Sequence, residues 1–249
     1  MFRRRKDESA QPDAGPPDAD SSDAESRADT PPVAVEPVFD RSGGPYDALD
    51  VPDDGVTRLD LGGLRVPAFE GMELRLDMDQ ASGQVVTVTV VAGESAVQLS
   101  AFAAPRLDGI WEDVRGDIAA GISSSGGTVD RVRGRLGDEL RATLPADPAQ
   151  RGGAMVPARF VGVDGPRWFL RGLFTGAAAR DETAAAPLEA VLRGCVVVRG
   201  GDPMAPGDGL PLQVPTEIPD GLAAGDDSAT AAGSPLAPPR RGPEITEIR

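Results

Sequence analysis

Residues 84–127 read QVVTVTVVAGESAVQLSAFAAPRLDGIWEDVRGDIAAGISSSGG, and their hydrophobic period changes midway. Val86, Val88 and Val90 alternate with Thr87 and Thr89. After a turn signal at 92–95, Val97, Leu99 and Ala101 alternate again. Side chains two apart share one face of a strand, so this spacing predicts a half-buried antiparallel pair. From Trp111 the spacing becomes three and four, through Val114, Ile118 and Ile122, which draws one apolar stripe along a helix. Asp108 is the expected N-cap, and Glu112 and Asp113 fall in the first turn, where the helix dipole favours acids. The serines at 123–125 with Gly126 and Gly127 end the helix.

Working outward, the strand period dominates. MELRLDMD (72–79) sets Met72, Leu74, Leu76 and Met78 against Glu73, Arg75 and Asp77, and TRLDLGGLRVP (57–67) reads as a hairpin about Gly62 and Gly63. Downstream, TVDRVRGRL and DELRATLP flank Gly137 and Asp138. MVPARFVGV and RWFLRGLFTG flank Asp164, Gly165 and Pro166, a stronger turn because Asp-Gly tolerates positive φ. APLEAVLRG predicts a second helix with Pro187 near its start and Leu188, Val191 and Leu192 as its apolar face. CVVVRG closes as a strand. Strands in antiparallel runs with two helices predict an α+β fold: an antiparallel meander carrying two packed helices as a layered sandwich, flanked by disordered tails. Hairpin followed by helix occurs at 84–122 and again at 155–193, a faint internal echo.

Composition places the boundaries. Of 249 residues 24 are Pro, and 15 of these lie outside residues 45–200. Residues 1–44 form an acidic, Pro-rich tail with too little apolar surface to offset backbone entropy. Residues 45–200 form the single domain. Residues 201–219 form an extended Pro-rich strap using Leu210, Leu212, Val214 and Ile218, and residues 220–249 form a disordered C-terminal tail ending in PPRRGPEITEIR. Arg3, Arg4, Arg5 and Lys6 lack a following apolar run, and no window is long enough to span a membrane, so the expected location is cytoplasmic.

The net charge of −15 is spread along the chain and makes nucleic acid an unfavourable partner. The absence of His removes His-based acid–base and nucleophilic triads, and the lone Cys195 removes Cys-rich metal sites and disulfides. No catalytic residue, cofactor or metal ligand is assigned. GISSSGGT follows a helix where phosphate loops precede one, and Glu112, Asp113 and Asp117 fall on the polar side of the first helix. The constellation that suits chemistry is a set of arginines. Arg131, Arg133 and Arg135 are spaced i, i+2, i+4, Arg167 and Arg171 flank Phe169, and Arg159 lies on the partner strand. Arginines converging from one sheet face suit carboxylates or phosphates through bidentate pairing.

GPYDALD near residue 45, LSAFAAPRLDGIWEDVR at 99–115, and DGPRWFLRGLFTG at 164–176 with APLEAVLRGCVVVRG resemble an actinobacterial family of unknown function, domain of unknown function 3710, over roughly 40–215. The resemblance implies a domain boundary and no active site. The element pattern is also similar to the Mog1/PsbP-like sandwich, which implies binding or assembly roles at the level of fold alone. Two functional expectations follow. One is a non-enzymatic binding or adaptor domain contacting a protein partner or small anionic ligand through the arginine face. The other is a small hydrolase or transferase acting on a phosphorylated small molecule through Arg and carboxylates.

Overall fold

The computed structural model describes residues 41–80, 83–106, 109–146, 153–215 and 223–224. The alternating stretches form strands as their period requires. β4 (Glu73–Met78), β5 (Val85–Ala92) and β6 (Ser95–Ala103) make the meander, and β7 (Thr128–Gly134), β8 (Gly137–Pro145), β9 (Met155–Gly165) and β10 (Trp168–Gly176) make two further hairpins. These join one eight-stranded sheet in the order β12-β4-β5-β6-β10-β9-β8-β7, where β12 is Ala223–Ala224. A four-stranded sheet is ordered β1-β11-β3-β2, from Tyr46–Asp47, Val196–Val197, Leu64–Pro67 and Arg58–Asp60.

Both faces of the large sheet are covered, but unequally. On one face, α2 (Glu182–Gly194) and the small sheet enclose the main core, with Val88, Val97, Leu99, Trp168, Leu170, Leu188 and Val191 buried together. On the other, α1 (Trp111–Ser124) lies against β7, β8 and β9 and buries Trp111, Ile118 and Ile122 over Leu140, Phe160 and Phe169. This is the layered α+β arrangement. The two hairpin–helix units send their helices to opposite faces, so the sequence echo is not a repeated unit of structure.

The strap lies where β5 stops short of the end of β6. Leu210 N–H donates to Ala101 O (2.8 Å), Gly63 N–H to Pro211 O (3.0 Å) and Gln213 N–H to Leu61 O (2.9 Å), tying the two sheets together. Leu210 and Leu212 are buried, whereas Val214 is exposed and Ile218 lies outside the described residues. Arg41–Gly43 forms a 3-10 turn with the Arg41 guanidinium over Trp168, so residues that composition gives to the tail rest on the domain.

Several local expectations are corrected. A bulge at Asp77/Met78 shifts the β4–β5 register, so Val85 is buried and Val86 exposed. The β7–β8 turn is Arg135 and Leu136, two residues before the Gly137-Asp138 signal, with Gly134 opposite Gly137. The β9–β10 turn is Pro166 and Arg167, the latter at φ 64°, because Asp164 is kept on the strand. α2 begins earlier than its Pro suggests: Asp181 caps it by accepting from Thr183 and Ala184 N–H, and Pro187 is inside. Ala223–Ala224, expected to be disordered, pairs in parallel with the edge of β4.

Candidate functional site

The six arginines do not share a face. Arg135 is in the β7–β8 turn and exposed, and Arg167 is in the β9–β10 turn, donating to Gly200 O at 3.2 Å. Arg131 and Arg133 project from β7 toward the α1 side and are engaged by acids. Arg131 Nη1 lies 3.4 Å from Glu112 Oε1, and Arg133 Nη1 lies 3.2 Å from Asp138 Oδ1. Arg115 on α1, which no sequence pattern singled out, is buried beneath them, pairing with Glu112 and with Asp138 at 3.3 Å. Of the helix acids, Glu112 thus serves these arginines, while Asp113 and Asp117 are exposed.

Arg159 points the opposite way, into the α2 side. It donates to Glu139 Oε2 through Nε (2.9 Å) and Nη2 (2.7 Å), and Nη2 lies 2.8 Å from Glu189 Oε1 on α2. That last contact is an ion pair and not an aligned hydrogen bond, because neither Glu189 oxygen has a hydrogen-bond donor. Burial opposes the charge on Arg159, but Glu139 and Glu189 outweigh it and raise its pKa. With all three side chains buried, this triad pins α2 to the sheet and presents nothing to a ligand.

Arg171 is the exception. α1 stops over β9 and β10, and the aromatic row Trp111–Phe169–Phe102 marks its edge, with centroids 5.6 and 5.9 Å apart. Beyond it, the sheet face over β6, β5 and β4 carries no layer among the described residues. Arg171, Ser100, Thr87 and Asp77 form one cross-strand row on that face. The Arg171 guanidinium lies 5.3 Å from the Phe102 centroid and reaches Ser100 Oγ at 3.5 Å, and Ser100 Oγ is 3.4 Å from Thr87 Oγ1. Among the described residues no carboxylate pairs with Arg171. Burial pulls its pKa below the usual arginine value, and it remains a cation.

Asp164 has a structural task that the sequence hid. Asp108 lies outside the described residues, and the N-cap position is Ile110, whose side chain cannot cap. Asp164 on β9 takes that part from 54 residues away, accepting from Ile110 N–H at 2.8 Å and Trp111 N–H at 3.3 Å. Gly109 admits it, since a Cβ there would collide with the carboxylate. Burial raises the Asp164 pKa and the two N–H bonds oppose the rise. A raised acid pKa means the ionised form burdens the fold at neutral pH. That burden is relieved as pH falls through the raised folded value toward the ordinary 3.8. Asp164→Asn keeps an acceptor for Ile110, so it is expected to match or exceed the wild type in stability at pH 7, the gap closing in acid. Asp164→Ala loses the cap and costs about 1–2 kcal/mol. Unfolding midpoints of the three proteins from pH 7 to 3 check this, and a gap widening in acid contradicts it.

Other sites are unpromising. Cys195 is buried, its thiol bonded to Val191 O and its pKa pushed far up by burial, so it is not a nucleophile. The serine–glycine stretch after α1 is a helix stop, with Gly126 at φ 84° and Gly127 N–H on Ile122 O. An open depression lined by Arg41, Tyr46, Asp47 and Asp50 has none of the candidate arginines in its lining. Its Asp47 is occupied, accepting from Trp168 Nε1 at 2.8 Å. Among the described residues no group of three or more Asp, Glu or Cys is arranged to hold a metal, and no helix is long and apolar enough to cross a membrane.

Comparison with curated proteins finds no match, and neither does comparison with solved structures. The family comparison does match, and its span, residues 44–220, takes in both helices, the strap and every strand described above except β12. The chain therefore belongs to the family described as protein of unknown function (DUF3710).

Proposed function

We propose that this chain is a cytoplasmic, non-enzymatic binding or adaptor domain, contacting a protein partner or small anionic ligand through the open sheet face around Arg171. The observation that carries the reading is Arg171 itself, a half-buried cation on an uncovered face, with hydroxyls and an aromatic ring beside it and, among the described residues, no carboxylate of its own. A buried charge costs stability unless it is paired, so a cation kept in this position is explained by an anion arriving from outside. The enzyme reading needs a concave site that brings Arg159, Arg167 or Arg171 to a carboxylate. Arg159 has carboxylate neighbours but is sealed, and among the described residues Arg167 and Arg171 have none. Nucleic acid remains disfavoured by the net charge of −15.

The test is recovery of partners from extracts of the native host with the full chain as bait. Arg171→Glu is expected to lose recovery at least tenfold while the melting temperature holds. Arg133→Glu, at the other end of the sheet, is expected to retain it. Recovery that survives Arg171→Glu, or that follows Arg133 instead, overturns the assignment of this face.

A further inference from the structure

Resting on that reading, we propose that Arg171 receives one side-chain carboxylate of a protein partner, with an apolar side chain beside that carboxylate lying on Phe102 and Leu173. The guanidinium has five N–H donors and spends one long bond on Ser100. Its guanidinium carbon lies over the Phe102 ring, 5.3 Å from the centroid, and its remaining N–H donors suit a two-point contact with a carboxylate. Ser100 is buried and touches both Arg171 and Thr87, so the inner side of the site is fixed.

The surroundings select among anions. Phe102 and Leu173 are half-buried on the same face, flanking the arginine along β6 and β10, and a free small anion would leave them wet. The face is an open sheet, so only a partner with its own surface can cover them. At the β4 end Glu73 is neutralised by Arg75 at 2.8 Å, and Asp77, which accepts from Thr89 Oγ1 at 3.0 Å, is left as a negative charge in the same row as Arg171. Together with the net charge of −15, Asp77 disfavours a second negative charge on the ligand. One carboxylate next to a hydrophobic side chain therefore fits, whereas a phosphate dianion or a run of acids does not.

The test uses the full chain and follows the Nε–Hε resonance of Arg171, assigned by its loss in Arg171→Lys. Four probes are titrated: acetate, inorganic phosphate, N-acetyl-Leu-Glu-amide and N-acetyl-Leu-Gln-amide. The Glu dipeptide is expected to shift the resonance at about tenfold lower concentration than acetate, the gain that partly burying one leucine side chain supplies. Phosphate is expected to need more than the Glu dipeptide, and the Gln dipeptide to leave the resonance unmoved. Tighter binding of phosphate, equal binding of the two dipeptides, or silence with all four overturns the inference. If Arg171→Glu abolishes partner recovery while the Glu dipeptide is silent, the carboxylate assignment fails and the binding face stands. If recovery is unaffected, the face itself fails.

Discussion

Arg159→Met is expected to destabilise the domain by about 3–5 kcal/mol, because it strands two carboxylates in the interior. Glu139 and Glu189 are 0% and 1% exposed, and Arg159 is the buried cation between them. Arg141 touches Glu139 Oε1 at 3.2 Å but stands at the rim, where it also pairs with Glu182, and it does not reach Glu189. Methionine keeps much of the packing against Phe174, whose centroid lies 5.1 Å from the guanidinium, so the loss reads out charge and not volume. Arg159→Lys retains the charge without the fork and should fall between the two. The decisive control removes the whole group: Arg159→Met, Glu139→Gln and Glu189→Met together should recover most of the loss, since a buried ionic group is costly when broken and nearly neutral when replaced entire. Urea midpoints followed by tryptophan fluorescence measure all of these. A single-variant loss under about 1 kcal/mol would show that water reaches the triad.

That triad also shows where sequence reading stops. The sequence set Arg159 with the other arginines on one face, whereas along β8 and β9 Glu139, Arg141 and Arg159 share one face and Leu140, Ala142 and Phe160 the other. The polar face is not a wet one, because α2 comes down on it and brings Glu189 from 30 residues further along the chain. Period two reports which side chains lie together and is silent on what covers them. The same gap explains the arginines. Arg131 and Arg133 were legible as neighbours on a strand, but their neutralising acids, Glu112 and Asp138, come from a helix and from the facing strand.

Element order, the meander and the α1 stripe were legible because each is written in the hydrophobic period of one continuous stretch of sequence. The turns at Gly62-Gly63 and at 92–95 fall where the sequence puts them, whereas the β7–β8 and β9–β10 turns were found two residues off, because glycine marks the neighbourhood of a turn without fixing which pair spans it. The cap of α1 was missed because its donors and acceptor are 54 residues apart. Asp47 with Trp168 is a still longer case, 121 residues, within a GPYDALD run that carries no chemical signature of its own. Arg171 was legible as a candidate by residue type and spacing. What distinguishes it from the other five arginines only the assembled sheet reveals: among the described residues Arg131, Arg133 and Arg159 are paired with acids, Arg135 and Arg167 stand in turns, and Arg171 is half-buried on a sheet face with no acid beside it.

Gly162→Ala is expected to lower stability by about 2–3 kcal/mol, the upper range for forcing extra volume into a packed site. Gly162 lies beside Arg171 on β9, and its missing side chain is the floor on which Trp111 rests. An added Cβ would overlap the indole and come within 2.6 Å of Phe169 Cε2. Neither ring has room to yield. Trp111 is fixed at Nε1 by Asp138 O at 2.6 Å and at its backbone by Asp164, and it stacks on Phe169 at 21° between planes. Phe169 is stacked in turn on Phe102, the ring that holds the Arg171 guanidinium. The methyl group therefore has to lift the start of α1 from the sheet or tilt the whole aromatic row. For a domain of this size the change corresponds to about 5–10 °C in melting temperature. The two alternatives separate by pairing the substitution with Trp111→Leu, which makes room beneath α1. If lifting the helix is the cost, the pair should be less unstable than the sum of the singles by at least about 1 kcal/mol. Strict additivity would mean that the strain is carried by Phe169 and the row that supports the binding face.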